Sequence, residues 1–405
     1  ASIDALIDKA QKDGMNAIAV TDHGNMFGIK EFFNKVSKKN GKPLGAIKDL
    51  EKEQKALKGK EALSTEEQAR LQEIPSLIEA EKKKIFKPII GCECYCARNG
   101  RHNKTAKEDR SGYHLIILAK NLKGYKNLIK MVSISWTEGF YGRPRIDHEL
   151  LEKYHEDLIV CSACLGGEIP QHIMHDRIDK AEESILWFKK LFGEDYYLEM
   201  QRHETHDPNA DCTTYPKQQE VNKVLIELAR KHDIKLIATN DVHFVNQEDA
   251  EAHDRLICLS TGKGLDAPTR MRYSKQEWMK TTAEMNAIFA DIPEALSNTL
   301  EIADKVDFYS IDSGPIMPTF AIPEDFGTEE SYREKFSEQD LFEEFTRDEN
   351  GNVVLSEEDA KDKIKKLGGY DKLYRIKLEA DYLRKLTYDG AKVCYGDNLN
   401  DEVRE

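Results

Sequence analysis

The sequence lacks an apolar run of membrane-spanning length and an N-terminal signal pattern, so it predicts neither an integral membrane protein nor a secreted one. Its eight cysteines do not have the spacing of a small disulfide framework, which favours a reducing compartment and predicts a cytoplasmic location. Positive charge is scarce relative to negative charge, since 60 Lys and Arg stand against 74 Asp and Glu, a net charge of −14. The surface as a whole would not attract a phosphate backbone, so contact with nucleic acid would need a local basic patch or a neighbouring domain.

Length and composition describe a polar protein of several domains. A chain of 405 residues is long enough for two or three domains with a sizeable core. Its 40% hydrophobic and 33% charged residues are typical of a soluble protein. The chain begins abruptly with a helix that Ser2 caps and that buries Ile3, Leu6 and Ile7. No strand precedes this helix, so we expect an α/β barrel that lacks its first strand.

Two Asp/His pairs follow predicted strands at distant points of the sequence. Asp22 and His23 follow one apolar run, and Asp241 and His243 follow another. In barrel-type α/β folds, side chains at the C-terminal ends of the strands gather at one site. Asp and His are good ligands for zinc, manganese or iron. The pairs therefore indicate either one metal site that the fold closes or two unrelated caps of helices or turns.

Six short apolar runs predict strands that alternate with helices. These runs cover residues 17–20, 88–95, 114–119, 158–161, 195–201 and 235–239. The alternation is the pattern of a β/α barrel or a doubly wound sheet. Residues 39–87 interrupt it with a Lys- and Glu-rich stretch, which we interpret as a helical insertion with a capping box from Ser64 to Glu67.

The second part of the sequence has a different character. From residue 248 onward helices and loops predominate, and we place a domain boundary near residue 285. The proline-rich segment 315–318 predicts a linker, and Asn350-Gly351 predicts the turn of a hairpin within 345–355. The rest of the chain is predicted to form charged helices.

Glu93 is the most informative polar residue within a predicted strand. Period-two alternation places it on the face opposite to Cys92, Cys94 and Cys96. Burying a lone carboxylate is unfavourable, so Glu93 needs a partner. Three thiols on one strand face fit a protein core better than a zinc site, because they rarely surround a single ion.

Two further positions have both a structural and a functional interpretation. His114 opens a predicted strand, where a single histidine is most often structural. Cys161 and Cys164 form a Cys-x-x-Cys motif that is compatible with a redox pair or half a zinc site. No second Cys-x-x-Cys accompanies the motif, so this interpretation is weak.

Several motifs in a fixed order carry a family resemblance. They are Thr21-Asp-His-Gly-Asn25, Ile90-Gly-Cys-Glu93, Cys164-Leu-Gly-Gly-Glu168, Leu198-Glu-Met-Gln-Arg-His203, Asn240-Asp-Val-His243 and Arg270-Met-Arg272. Together they resemble the PHP (polymerase and histidinol phosphatase) domain. The Gln-Arg-His motif and the segment 254–272 point to the branch that forms the N-terminal part of bacterial DNA polymerase III alpha subunits. The resemblance is strong over residues 1–305 and weak beyond.

The resemblance implies a distorted seven-stranded, TIM-like β/α barrel without its first strand, followed by an α-rich region that leads into a polymerase palm. The barrel would cover residues 1–285, with the insertion at 39–87, and the connector and start of the palm would cover 286–405. A site of up to three Zn²⁺ or Mn²⁺ ions is implied at the strand ends. The matching ligand positions are His23, Glu93, His114, Cys164, Asp241 and His243. Glu93 and Asp241 match catalytic positions. Asp22 matches a residue that does not bind the metal itself but orients one of the ligands.

The sequence departs from the family in one respect. The family begins with a strand that carries His-x-His and, soon after, a further ligand, and none of these is present. We therefore expect the isolated chain to bind metal incompletely and to be a poor catalyst. It also contains no polymerase carboxylates, so Mg²⁺ for a polymerase site would belong to another part of the parent protein.

The resemblance leaves three functions open. The first is that the site is a phosphodiesterase that proofreads DNA as a 3′→5′ exonuclease. The second is that the domain is a scaffold, which either stabilises a polymerase or docks a proofreading subunit. The third function is a free-standing histidinol-phosphate phosphatase. The first two functions imply partners, namely a DNA primer–template and replisome subunits such as a sliding clamp and an exonuclease subunit. None of the three functions involves a membrane. A small basic group is compatible with phosphate contacts, although a solvated loop is the more common interpretation of such a group. It is formed by Lys263, Arg270, Arg272 and Lys275.

Overall fold

The computed structural model describes residues 1–60, 62–316, 320–348 and 350–404. The chain divides into two compact units, Ala1–Asp312 and Ser313–Glu405. In the described part of the chain, no helix combines the length and the apolar character that crossing a bilayer requires.

The first unit is built on one seven-stranded sheet. Its strands are β1 (Ala17–Val20), β2 (Lys87–Cys96), β3 (Tyr113–Ala119), β4 (Arg145–Ile146), β5 (Leu158–Cys161), β6 (Tyr196–Met200) and β7 (Lys235–Ala238). The strand order is β1-β2-β3-β5-β6-β7, and β4 pairs with β2. All six predicted strands are present, which confirms the α/β barrel-type architecture. No sequence pattern predicts β4, because it is only two residues long.

Most neighbouring strands are parallel, but β3 runs antiparallel to both β2 and β5. Parallel pairing of consecutive strands needs a crossover, whereas residues 97–112 return the chain directly with only a 3₁₀ turn, Lys107–Arg110. The reversal brings the first residues of β3 to the edge where the other strands end, and His114 pairs with Tyr95. A histidine at a strand start thereby reaches the same end of the sheet as residues at strand ends.

Twelve α-helices of the first unit surround this sheet. They are α1 (Ile3–Lys12), α2 (Ile29–Lys39), α3 (Gly41–Lys58), α4 (Thr65–Lys82), α5 (Leu122–Thr137), α6 (His148–Tyr154), α7 (Glu168–Met174), α8 (Ile178–Phe192), α9 (Thr214–His232), α10 (Ala250–Thr261), α11 (Thr282–Ile288) and α12 (Glu294–Lys305), within residues 1–60 and 62–312. Helices α3 and α4 pack on each other through Ile47, Leu57, Ile74 and Ile78. The capping box starts α4 as predicted, since the Glu67 amide donates to Ser64 Oγ and the Ser64 amide donates to Glu67.

The two faces of the sheet have separate apolar layers. On one face, Ile89, Ile159 and Tyr197 pack against Ile302 of α12. The other face is covered by a larger core that includes residues of α5, α8 and α9. Because side chains alternate along β2, Glu93 lies on the α12 face and Cys92, Cys94 and Cys96 lie on the opposite face. The predicted assignment of the β2 faces is confirmed.

A fully buried arginine connects several loops near the end of β2. Arg145 donates from Nε to the Gly139 carbonyl at 2.9 Å and from Nη2 to the Arg101 carbonyl at 2.8 Å. Its Nη1 donates to the carbonyls of Asn103 at 3.0 Å and Asp109 at 2.6 Å. One side chain therefore satisfies four backbone carbonyls, which fixes the return loop between β2 and β3.

The second unit is helical in the part that the structure describes. Its helices are α13 (Glu329–Lys335), α14 (Glu338–Thr346), α15 (Glu357–Leu367), α16 (Tyr370–Tyr395) and α17 (Asp401–Arg404). Tyr332, Leu341 and Ile364 contribute to its core. Arg347 and Val353 form the antiparallel bridge of the predicted turn, whose Glu349 lies outside the described residues, as do Met317 and Pro318 of the predicted linker. The polymerase palm stays a prediction.

Candidate metal centre

Three neighbouring strands bring His23, Glu93 and His114 together. The Glu93 amide donates to the Asp22 carbonyl at 3.1 Å, and the Gly24 amide donates to the Glu93 carbonyl at 2.9 Å. These bonds continue the β1–β2 pairing past the end of β1 and place His23 opposite Glu93. His114 lies on β3 opposite Tyr95, two residue pairs beyond the pair that Glu93 forms with Ile116.

The side chains of these three residues converge on one small volume. His114 Nδ1 lies 2.6 Å from Glu93 Oε1, and His23 Nδ1 lies 3.6 Å from Glu93 Oε2. One ligand atom from each residue lies within 4.8 Å of the others. The His23 and His114 rings meet edge to face at 5.7 Å. This spacing is suitable for side chains that share a cation.

Cys164 approaches the same volume from the turn after β5. Its Sγ lies 3.4 Å from His114 Nδ1 and accepts the Gly166 amide at 3.4 Å. The His114 amide donates to the Gly166 carbonyl at 3.0 Å and holds this turn against β3. A Cβ on Gly167 would lie 2.1 Å from the Ser162 carbonyl oxygen, so the tight turn requires glycine there.

Cys164 and its Cys-x-x-Cys partner point to different places. Cys161 lies in the apolar layer between the sheet and α12. Both residues are free thiols. Cys164 therefore faces the candidate metal centre, and Cys161 belongs to the core.

Asp241 and His243 complete the group from the segment after β7. Asp241 adopts a left-handed backbone conformation with φ of 47°. His243 Nδ1 lies 2.7 Å from the Asp241 carbonyl oxygen, so this nitrogen donates to the backbone and Nε2 is the ring nitrogen left to face the centre. The His243 and His23 rings are 5.7 Å apart. The Asn240 amide group anchors the segment by donating to the carbonyls of Gln276 at 2.8 Å and Trp278 at 2.6 Å.

The donor set fits a metal ion, and Glu93 gives the clearest sign. Its Oε1 is buried and has no hydrogen-bond partner among the residues that the structure describes, although His114 Nδ1 is only 2.6 Å away. The two atoms approach closely without hydrogen-bonding geometry, and a cation bound among these side chains would satisfy the carboxylate oxygen. Imidazole nitrogen, carboxylate oxygen and thiolate sulfur together suit zinc, with manganese favoured by the nitrogen and oxygen donors.

The protonation tendencies of the ligands reflect a buried site of mixed charge. Burial disfavours the charged form of Glu93, yet the adjacent His114, His23 and His243 hold its pKa below the ordinary value. Burial raises the pKa of Cys164 well above that of a free thiol. Burial also raises the pKa of Asp241, and the nearby Glu93 carboxylate adds to this effect. A bound cation would favour the ionised form of all three groups.

Glu199 is a buried carboxylate next to the centre that the sequence interpretation did not single out as a site residue. Its Oε1 accepts hydrogen bonds from Thr239 Oγ1 at 2.5 Å and Gln201 Nε2 at 3.1 Å. Burial raises the pKa of Glu199 to about 7, Thr239 and Gln201 oppose this rise, and the Asp241 and Glu93 carboxylates add to it. The signal in the sequence is its place within an apolar strand, inside the Leu198–His203 motif.

The Glu199→Gln variant should make the stability of the chelated protein less dependent on pH. The pKa of Glu199 is higher in the folded protein, about 7, than its ordinary value of 4.5. Its contribution to stability is therefore fully present below pH 4.5 and is lost as the pH rises through 7. Above this window the variant should be more stable than the parent by about 3 kcal/mol, and at pH 4.5 the two should be alike.

This prediction can be checked by denaturant unfolding at pH 4.5 and pH 8 with a chelator present. Glu204→Gln is the matched control, because the Glu204 side chain is 59% exposed. An equal change in the free energy of unfolding at both pH values for Glu199→Gln would contradict the assignment.

Other residues near the centre carry no recognisable spacing in the sequence. Tyr273 Oη lies 3.3 Å from His243 Nε2, and the His253 ring lies 5.6 Å from the His243 ring. Glu277 is buried behind them, and its backbone carbonyl accepts the His243 amide at 2.7 Å. Lys280 is also buried, which lowers its pKa to about 8. Only the Arg270–Arg272 motif in the neighbouring sequence points to this part of the chain.

Asp22 differs from the six ligand candidates. The backbone carbonyl of Asp22 takes part in the β1–β2 pairing, but the residue as a whole is exposed to solvent. No hydrogen bond to its carboxylate comes from the residues in the described ranges. Partial burial raises its pKa, and the nearby His23 opposes this rise. Its role as an orienting group stays a prediction.

The predicted basic group is largely occupied by contacts within the chain. Arg270 forms a two-pronged ion pair with Asp254 at 2.6 and 2.8 Å. Lys275 binds Asp207 at 2.8 Å, and Lys263 donates to the Thr269 carbonyl at 2.8 Å. Arg272 is exposed. Contact of this group with DNA stays a prediction. Arg272 is the member best placed for such a contact, because it is exposed.

Comparison with known proteins gives one family and a consistent set of relatives. The sequence profile of the PHP domain matches residues 1–203. The DNA polymerase III subunit alpha of Borreliella burgdorferi is 41% identical over 346 residues, which is 84% of this chain and 25% of that protein. The subunit of the same name from Treponema pallidum is 32% identical over 360 residues, 88% of this chain and 26% of that protein. The one from Thermus aquaticus is 35% identical over 318 residues, 76% of this chain and 22% of that protein. The chain thus spans about a quarter of the length of these curated relatives.

Proposed function

Because the chain belongs to the PHP domain family, we propose that its metal centre hydrolyses phosphodiester bonds and removes mispaired 3′ ends from DNA. The chain is homologous to DNA polymerase III alpha subunits, which connects it with DNA replication. The native ions are proposed to be Zn²⁺ or Mn²⁺. Up to three ions would bind when the ligands of the family's first strand are also present. Proposed partners are a primer–template, a sliding clamp and an exonuclease subunit, and Mg²⁺ would serve the polymerase site of the whole protein.

The buried, unpartnered Glu93 Oε1 between His23 and His114 is the observation that carries this proposal. A structural salt link would leave the carboxylate hydrogen-bonded on both oxygens. Ions bound here would activate a water molecule and neutralise the charge of a phosphodiester. Glu93 would hold such ions together with His23, His114 and Cys164.

The surroundings of the centre favour DNA over a small phosphomonoester. Arg143 is exposed and lies 5.7 Å from the Tyr95 ring, which in turn contacts the His114 ring at 5.3 Å. Burial is the main cause of the lowered pKa of His23, and the positive charge of Arg143 adds to it, so Arg143 contributes to the electrostatic field of the centre. A guanidinium near the centre would attract the phosphate of a nucleic-acid strand.

An exposed aromatic cluster continues from the same edge. The Trp136 indole donates to the Gly24 carbonyl at 2.8 Å, next to His23. Phe27 and Phe140 lie 6.4 and 5.5 Å from the Trp136 ring, and Phe27 is 82% exposed. Aromatic faces beside a positively charged group are typical of surfaces that stack the bases of single strands. An unpaired 3′ end of DNA has bases that can stack on these rings, whereas a small phosphomonoester has none.

The test is 3′→5′ hydrolysis of an end-labelled primer–template by the full-length polymerase that carries this chain. Paired and mispaired 3′ ends are compared, with Mn²⁺, with Zn²⁺ and with a chelator. Metal-dependent hydrolysis that prefers the mispaired end supports the proposal. No hydrolysis, with metal found by elemental analysis, would overturn it and leave the centre as a stabilising element of a scaffold. Faster turnover of a small phosphomonoester than of DNA would instead favour the phosphatase.

A further inference from the structure

A second group of metal-ligating side chains lies on the other face of β2. Cys96 is the last residue of β2 and faces away from the side that carries Glu93. His148 and Glu168 are the first residues of α6 and α7. One ligand atom from each of the three lies within 4.8 Å of the others. We propose that Cys96, His148 and Glu168 form a separate, mononuclear site for Zn²⁺.

The Glu168 carboxylate is held in place for such a role. Ser184 Oγ donates to its Oε1 at 2.6 Å, and its Oε2 lies 3.2 Å from His148 Nε2. Burial disfavours the charged form of Glu168, yet His148 and Ser184 hold its pKa below the ordinary value. One carboxylate oxygen is thus held by Ser184, and the other is turned towards the imidazole.

The His148 ring is fixed by its aromatic neighbours. It stacks on Trp187 with the ring centres 4.0 Å apart and the planes at 14°. It also contacts the edge of Phe188 at 5.8 Å. A ring held on two sides loses little conformational entropy when it binds an ion, which favours metal binding.

Two residues that interact electrostatically with Glu168 carry buried polar atoms without partners. Within the described ranges, Tyr196 Oη and His172 Nδ1 have no hydrogen-bond partner, and Tyr196 is only 2% exposed. Burial raises the pKa of Tyr196, and the charge of Glu168 adds to this. His172 lies one helical turn after Glu168 on α7, on the same side of the helix. An ion with a bound water molecule would supply the partners that the protein does not.

The cluster is also accessible and chemically suited to zinc. It borders an open cavity of about 350 Å³ lined by Asn99, Tyr113, His148 and Glu168, among others. Sulfur, nitrogen and oxygen donors together are typical of zinc. Three protein ligands leave a fourth position for water, which the cavity can supply. Burial raises the pKa of Cys96, and zinc would lower it enough to form the thiolate.

Cobalt can test the site independently of the Glu93 centre, because a thiolate bound to Co²⁺ gives a charge-transfer absorption band. The experiment uses the chain with Cys164→Ser, which removes the thiol of the Glu93 centre. One equivalent of Co²⁺ should produce the band, and added Zn²⁺ should remove the band by displacing the Co²⁺. Adding Cys96→Ser should abolish the band, whereas adding Cys94→Ser should leave it unchanged, because Cys94 is buried on the same face but lies outside the cluster.

A band that persists in the Cys164→Ser/Cys96→Ser chain, or that is absent from the Cys164→Ser chain, would overturn the proposal. If circular dichroism shows that the Cys96→Ser chain is unfolded, His148→Gln replaces it, since that ring is partly exposed. Adding His148→Gln to the Cys164→Ser chain should then lower its Co²⁺ affinity by more than about 100-fold, beyond the loss expected for a residue that only orients a ligand. An unchanged affinity would refute the site.

Discussion

The Glu93→Gln variant is expected to lose metal and hydrolytic activity together. Glu93 is the carboxylate that touches both His23 and His114, and glutamine keeps its size but removes the charge. A neutral amide can offer only one oxygen to a cation, so ions that share the carboxylate lose a ligand. Hydrolysis of a mispaired 3′ end should fall at least about 100-fold, and bound metal should fall with it.

Kinetics and elemental analysis on the same preparation check this prediction. Glu204→Gln serves as the isosteric control, because that side chain is largely exposed. Asp241→Asn should give a similar loss, since Asp241 lies in the segment that closes the centre. A Glu93→Gln variant that retains both its metal and its rate would show that the carboxylate is not a ligand.

Replacement of Arg145 by methionine should strongly destabilise the first unit. The guanidinium donates to four backbone carbonyls and is fully buried. Methionine has a similar length but donates no hydrogen bond, so the carbonyls of Gly139, Arg101, Asn103 and Asp109 would be left buried and unsatisfied. The free energy of unfolding should decrease by about 3–5 kcal/mol.

Denaturant unfolding monitored by circular dichroism measures this effect. Arg143→Met is the control, because Arg143 lies two residues earlier in an exposed position, and its free energy of unfolding should change by less than about 0.5 kcal/mol. Arg145→Lys should fall between the two, since one ammonium can serve only part of the carbonyl set. Equal stability of Arg145→Met and Arg143→Met would refute the role assigned to Arg145.

The strands and the main ligand candidates could be predicted because their signals are local. An apolar run that ends in Asp22-His23 or Asp241 predicts a buried strand with polar residues at its end, and the fold brings those ends together. Glu93 could be identified because a carboxylate stands out in an apolar strand. The capping box from Ser64 to Glu67 is equally local, and the structure confirms it.

The features that the sequence did not predict depend on contacts between distant segments. The direction of β3 follows from the path of residues 97–112, which has no periodic pattern. The contacts of Arg145 go to backbone atoms, whose positions no side-chain pattern encodes. Cys96, His148 and Glu168 come from three elements whose spacing in the sequence matches no metal motif, and Glu168 is recognisable in the sequence only as part of a turn motif.

The reversal of β3 also affects the order in which the centre can assemble during folding. Glu93 and His114 belong to two strands joined by a single return loop, so their contact needs only short-range chain closure. Cys164 must wait for β5, and Asp241 and His243 must wait for β7 to join the far edge of the sheet. Contacts between residues close in sequence form faster than those that enclose long loops. Two of the six candidate ligands can therefore meet early in folding, and a cation bound by them would favour the joining of the later strands.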